Sequence, residues 1–179
     1  MPSATNRDLM WDVTLVVGED QARIAASSQV LRMASKPFFK MLGPDFKEGQ
    51  LDEASTKKDV SLPADKPSAI ELMCNIMHHQ VSGVSTVPTV ADLYDLAIVA
   101  GKYDCTFATG LAARAWIKPT SAHDMNDLGL LLVSAFIYTL QDTFHDISAL
   151  LVLGHEGSYG ELEKVPGFIE RLGWETICE

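Results

Sequence analysis

SSQVLRMASKPFFKMLGPDFKEG, residues 27–49, is the stretch that decides how this chain folds. Ser27 and Ser28 stand where a helix N-cap belongs, because a short hydroxyl side chain can accept from the free N–H groups of a first turn. Val30, Leu31 and Ala34 then recur at helical spacing. Pro37 pre-sets the backbone for a second short helix carrying Phe38, Met41 and Leu42, and Gly43-Pro44 stops it. Upstream, DVTLVV (residues 12–17) places Val13, Leu15 and Val17 on one face. Gly18-Glu19-Asp20 has turn chemistry, and QARIAA (residues 21–26) alternates Ala22, Ile24 and Ala26 against Gln21, Arg23 and Ala25. Two such runs joined by a glycine-containing turn predict a β-hairpin. Downstream, residues 43–58 read as polar loop, VSLP (residues 60–63) as a third strand, and Pro67 as the start of a helix.

From Pro67 onward the apolar period stays near that of a helix. Ile70, Met73 and Met77 make one stripe, with Leu72 and Ile76 beside it. VSGVSTVP (residues 81–88) is a Ser/Gly/Pro linker, and Thr89 with Asp92 three residues later has the form of a capping box. Leu93, Leu96, Ala97, Ala100 and Tyr103 follow on one face. A further helix is expected over about 107–117, and another starts near Ser121–Asp124. That one is apolar around most of its circumference from Leu128 to Leu140, so it must be buried in a core or against a partner. Phe144, Ile147 and Leu151 predict one more helix. Beyond Gly154 the chain is glycine-rich, and only FIERLGWETI reads as weakly helical. The fold class is α+β, with an all-helical second half and no internal repeat.

The 179 residues include 47% apolar and 21% charged side chains, the composition of one globular domain with an appendage. Fourteen Lys and Arg against 24 Asp and Glu give a net charge of −10, which disfavours nucleic acid and anionic membranes as direct partners. The acidity is unevenly placed: residues 121–179 hold 2 basic and 10 acidic side chains. Such a surface repels nucleic acid and suits a basic partner, or simply keeps a leucine-rich bundle solvated. Cys74, Cys105 and Cys178 are odd in number and lack C-x-x-C spacing, and the polar start MPSATNRDLMW does not read as a signal peptide, so an intracellular, reduced protein is expected.

Reactive constellations are sparse. Gly154, Gly157 and Gly160 have neither a preceding strand nor a following G-K-[ST], so they read as loop and not as a phosphate cradle. Adjacent His78 and His79 diverge by about 100° on a helix and converge poorly on a metal. Cys74 and His78 share a helical face, but Cys74 lies beside the apolar stripe as a buried thiol would. Asp52 and Glu53 lie in polar loop, and Asp142 with Asp146 reads as a solvated face. No nucleophile–base–orienter set emerges, so the expectation is no enzyme, no cofactor and no metal.

The order hairpin, helical pair, VSLP strand and helix resembles a BTB/POZ domain. The resemblance is carried by Val30-Leu31, by Ala34-Ser35-Lys36-Pro37-Phe38-Phe39 with Met41-Leu42, by Asp45-Phe46-Lys47-Glu48, and by AIVAGKYDC (residues 97–105) with Trp116 downstream. It is similar to stand-alone fungal-type BTB proteins with a C-terminal helical extension, which tend to carry a histidine where His78 stands. The resemblance implies a small three-stranded sheet packed with a cluster of helices, with both aromatics of Phe38-Phe39 plugging the core. It divides the chain into a polar N-terminal segment (1–11), a BTB/POZ domain (12–118), an all-α extension (119–155) and an acidic glycine-containing tail with one short helix (156–179). It further implies a non-catalytic interaction module, an adaptor contacting a cullin ubiquitin-ligase scaffold. The contact motif matches Phe46-Lys47-Glu48, with Met41 as a further protein-binding residue.

Two departures from the family pattern matter. Only residues 1–11 precede the first strand, so a strand-swapped dimer is not expected, whereas self-association through other surfaces is open. Asp12 is present, but Ser28 stands where transcriptional members carry a basic residue. Two other classes therefore compete: a small ligand- or metal-binding protein or enzyme with a pocket between the BTB part and the extension, and a transcriptional or chromatin scaffold acting by partner recruitment.

Overall fold

The computed structural model describes residues 11–43, 58–80, 87–154 and 159–173. Strand β1 (Val13–Val17) is central in a three-stranded sheet of order β2-β1-β3, flanked by β2 (Ala22–Ala26) and β3 (Lys58–Leu62). β1 runs antiparallel to β2, with Leu15 opposite Ile24, and parallel to β3, with Leu15 opposite Val60. Val13, Thr14, Leu15 and Val17 are all buried, as a central strand covered on both faces requires. Gly18 turns the hairpin at φ +73°, a conformation only glycine takes without strain, and Gln21 follows at φ +51°.

The parallel β1–β3 pair needs a crossover, and helices α1 (Ser28–Ala34) and α2 (Lys36–Met41) lie in it. Ser35 separates them. Its hydroxyl accepts from the Phe38 N–H at 3.0 Å and donates to the Tyr103 carbonyl at 2.6 Å, so one buried side chain caps α2 and fastens it to the helical layer. Phe38 is fully buried and stacks on Tyr103 with centroids 4.6 Å apart, whereas Phe39 is 55% exposed. The expectation that both aromatics plug the core is therefore corrected. Successive helical residues point about 100° apart, so only one of the two can face inward.

Helix α3 (Pro67–Met77) packs on β2, α1 and α4 (Val90–Lys102), and α5 (Thr106–Trp116) lies against α3 and α4. The continuously apolar helix is α6 (Met125–Ile137). It is buried between α4 on one side, α7 (Gln141–Gly154) on another, and the C-terminal segment on a third. That segment is a 3-10 helix (Tyr159–Lys164) followed by α8 (Phe168–Leu172), and it buries Leu162, Val165 and Phe168. Gly129 of α6 makes the close approach possible, because a Cβ there would come within 2.8 Å of a Val165 methyl. The α+β class and the helical second half stand as expected, and the glycine-rich tail holds more structure than its composition suggests. No helix among the described residues is long and apolar enough to cross a membrane.

Candidate functional site

Helix α5 inverts the usual amphipathic pattern. Its fully buried positions are the small residues Thr109 and Ala113, while Phe107 is fully exposed and Leu111 is 84% exposed. Small residues inward let α5 lie close on α3 and α4, and the large apolar side chains are left facing out. Thr109 secures the inner face: its hydroxyl donates to the Cys105 carbonyl and shares a 2.9 Å hydrogen bond with the Tyr138 hydroxyl. Burial pushes the Tyr138 phenol up to about 12.

Phe107 stands on a ridge between two grooves. The first, about 540 Å³, runs from Met33 on α1 along Phe39 and Lys40 on α2. The second, about 430 Å³, is bounded by Leu111 and Arg114 and by the α6–α7 turn at Thr139. Thr139 sits at φ +53°, a strained conformation for a β-branched residue. Met33, Phe39, Phe107 and Leu111 together give an apolar surface of the kind that marks protein contacts. Its rim is basic although the chain is acidic. Arg32 lies over the Phe39 ring at 4.9 Å, Lys36 pairs loosely with Asp104 at 3.6 Å, and Lys40 and Arg114 line the two grooves. Sequence reasoning missed Phe107 and Leu111, and the available signal was their i, i+4 spacing opposite Ala108, Thr109, Ala112 and Ala113.

Phe46, Lys47 and Glu48 lie outside the described residues. Met41 ends α2 half-buried, packed on the core beside Leu42. His78 and Cys74, which share a helical face, both lie within the fold: His78 bonds to the backbone of Ser27 and Cys74, and the buried Cys74 thiol is pushed up to about 12 by desolvation. Cys105 is likewise buried and raised to about 11. Among the described residues, no three His, Cys, Asp or Glu side chains are grouped to hold a metal. Asp12 and Ser28 do meet, the carboxylate accepting from both the Ser28 N–H and its hydroxyl. No family model matches the chain, and no curated protein matches it.

Proposed function

We propose that this chain is a non-catalytic interaction module with a BTB/POZ fold, acting as an adaptor whose docking face is the Phe107 ridge with its two grooves. The observation that carries the reading is the fully exposed Phe107, flanked by Met33, Phe39 and Leu111 and rimmed by cations. An exposed aromatic anchor with charge at its edge is the usual composition of an interaction hot spot. The order of strands and helices supports the fold assignment. In sequence, Phe46-Lys47-Glu48 follows the groove-lining Lys40 by six residues. A cullin scaffold is the proposed partner, with Phe46 and Met41 supplying apolar contact and Glu48 orientation.

The test is isothermal titration of the full chain with a purified cullin N-terminal domain, repeated with Phe46→Ala and with Phe107→Asp/Leu111→Asp. Heat with the wild type and at least a tenfold weaker affinity in both variants is expected, about 1.4 kcal/mol or more. Phe107 and Leu111 point to solvent, so the double variant should keep its denaturation midpoint. Absent heat with the wild type, or undiminished affinity in either variant, overturns the reading.

A further inference from the structure

His78 ties three parts of the chain together. It ends α3, its Nδ1 lies 2.7 Å from the Cys74 carbonyl, and its Nε2 lies 2.9 Å from the backbone nitrogen of Ser27, 51 residues away. Its ring stacks on Trp11 with centroids 5.3 Å apart and planes 13° from parallel. A backbone N–H can only donate, so Nε2 must be the bare, accepting nitrogen. Nδ1 then carries the proton and donates to Cys74. One protonation state satisfies both bonds, the neutral Nδ1–H tautomer. A second proton would go onto Nε2 and face the Ser27 N–H donor to donor.

The surroundings favour the neutral ring. Burial holds the imidazole below its usual range, the bond to Cys74 opposes this, and neighbouring His79 adds a smaller push downward. From α3 come His79 and the Cys74 thiol, which stays protonated. The β1 side contributes Asp12, whose carboxylate is committed to Ser28. The β2–α1 junction contributes Ser27 and Ser28, which do not titrate. No described carboxylate bonds to the ring to stabilise an imidazolium.

We propose that His78 is a proton-operated latch: neutral, it fastens the Ser27 start of α1 to the end of α3 while Trp11 stacks on the same ring, and protonated, it releases the Ser27 N–H. Release loosens α1, which supplies Arg32 and Met33 to one groove wall, so docking there weakens in acid. That last consequence alone rests on the docking reading.

The test is NMR of the ¹⁵N-labelled full chain, titrated from about pH 8 to about pH 5. At the upper end the imidazole spectrum should show His78 as the Nδ1–H tautomer. As the ring takes its second proton, the protection factor of the Ser27 amide, the intrinsic exchange rate at the same pH divided by its own rate, should fall about tenfold and the Trp11 indole should shift with the same midpoint, while β1 amides keep their protection factors. In His78→Gln both signals should be flat with pH. A ring that stays neutral throughout, or one that titrates with Ser27 and Trp11 unmoved, overturns the latch, as does the same transition in His78→Gln. The wild-type readings stand by themselves if that variant does not fold. They involve no partner, so failure of the latch and failure of the docking reading are separate results.

Discussion

At the scale of single residues, the helical layer is joined by a buried polar cluster. Asp65, with only 5% of its side chain exposed, accepts from Lys102 at 2.6 Å and from the Tyr103 hydroxyl. Burial first, and the Asp65 bond second, raise the Tyr103 phenol far above its ordinary value, so it stays a donor at any physiological pH. Tyr103→Phe keeps the stack on Phe38 but leaves one buried carboxylate oxygen without its donor. A loss of about 1–3 kcal/mol in urea unfolding is expected, and a loss below about 0.5 would show the bond to be dispensable. His78 gives a pH signature of its own. Its folded value is depressed below the usual 6.5, so the unfolded chain binds more protons in that range and stability rises with pH. The contribution is complete above about 6.5 and is lost as pH falls through the folded value. The wild-type urea midpoint should therefore fall further on acidification than that of His78→Gln, and parallel curves would refute the assignment. Neither cluster was legible in the sequence. Asp65 and Tyr103 are 38 residues apart, and His78 and Ser27 are 51 apart.

At the scale of elements, helix starts were read well where the capping group is local. Thr89 and Asp92 form the expected box: the Thr89 hydroxyl accepts from the Asp92 N–H at 3.2 Å, and the Asp92 carboxylate accepts from the Thr89 N–H at 3.0 Å. At α1 the sequence pointed to the serines, but the Ser27 side chain makes no capping bond and the carboxylate of Asp12, just before β1, takes that role. The two helices should respond differently to the same kind of change. Thr89→Ala is expected to cost about 0.5–2 kcal/mol in chemical denaturation, while Ser27→Ala stays within about 0.5. Equal costs would mean that the Asp12 cap contributes little. Helix α5 was placed correctly, over Thr106–Trp116 against an expected 107–117, but its orientation was not legible. Hydrophobic periodicity sends large apolar residues inward, whereas here close packing against α3 and α4 selects the small ones.

At the scale of the whole molecule, α6 is the organising element, since α4, α7 and the C-terminal segment all pack on it. The C-terminal segment is held by Leu162, Val165 and Phe168, and by a 2.7 Å hydrogen bond from the Tyr94 hydroxyl to the Pro166 carbonyl. Gly129→Val would drive methyls into Val165 and Leu162. A cost of about 1–3 kcal/mol is expected, together with faster proteolysis between residues 159 and 173 while α3 and α4 stay protected. An unchanged cleavage pattern would show that the segment is not seated through Gly129. The sequence by itself determined the α+β class, the hairpin, the paired short helices, the Thr89 cap and the need to bury α6. Each of these follows from backbone preferences or apolar period acting within a few residues. Tertiary structure alone decided that Phe38 turns inward and Phe39 outward, that Phe107 stands exposed between two grooves, and that His78 reaches Ser27. These outcomes depend on how much room a distant neighbour leaves and which unpaired donor it presents, and no rule confined to one turn of chain contains that information.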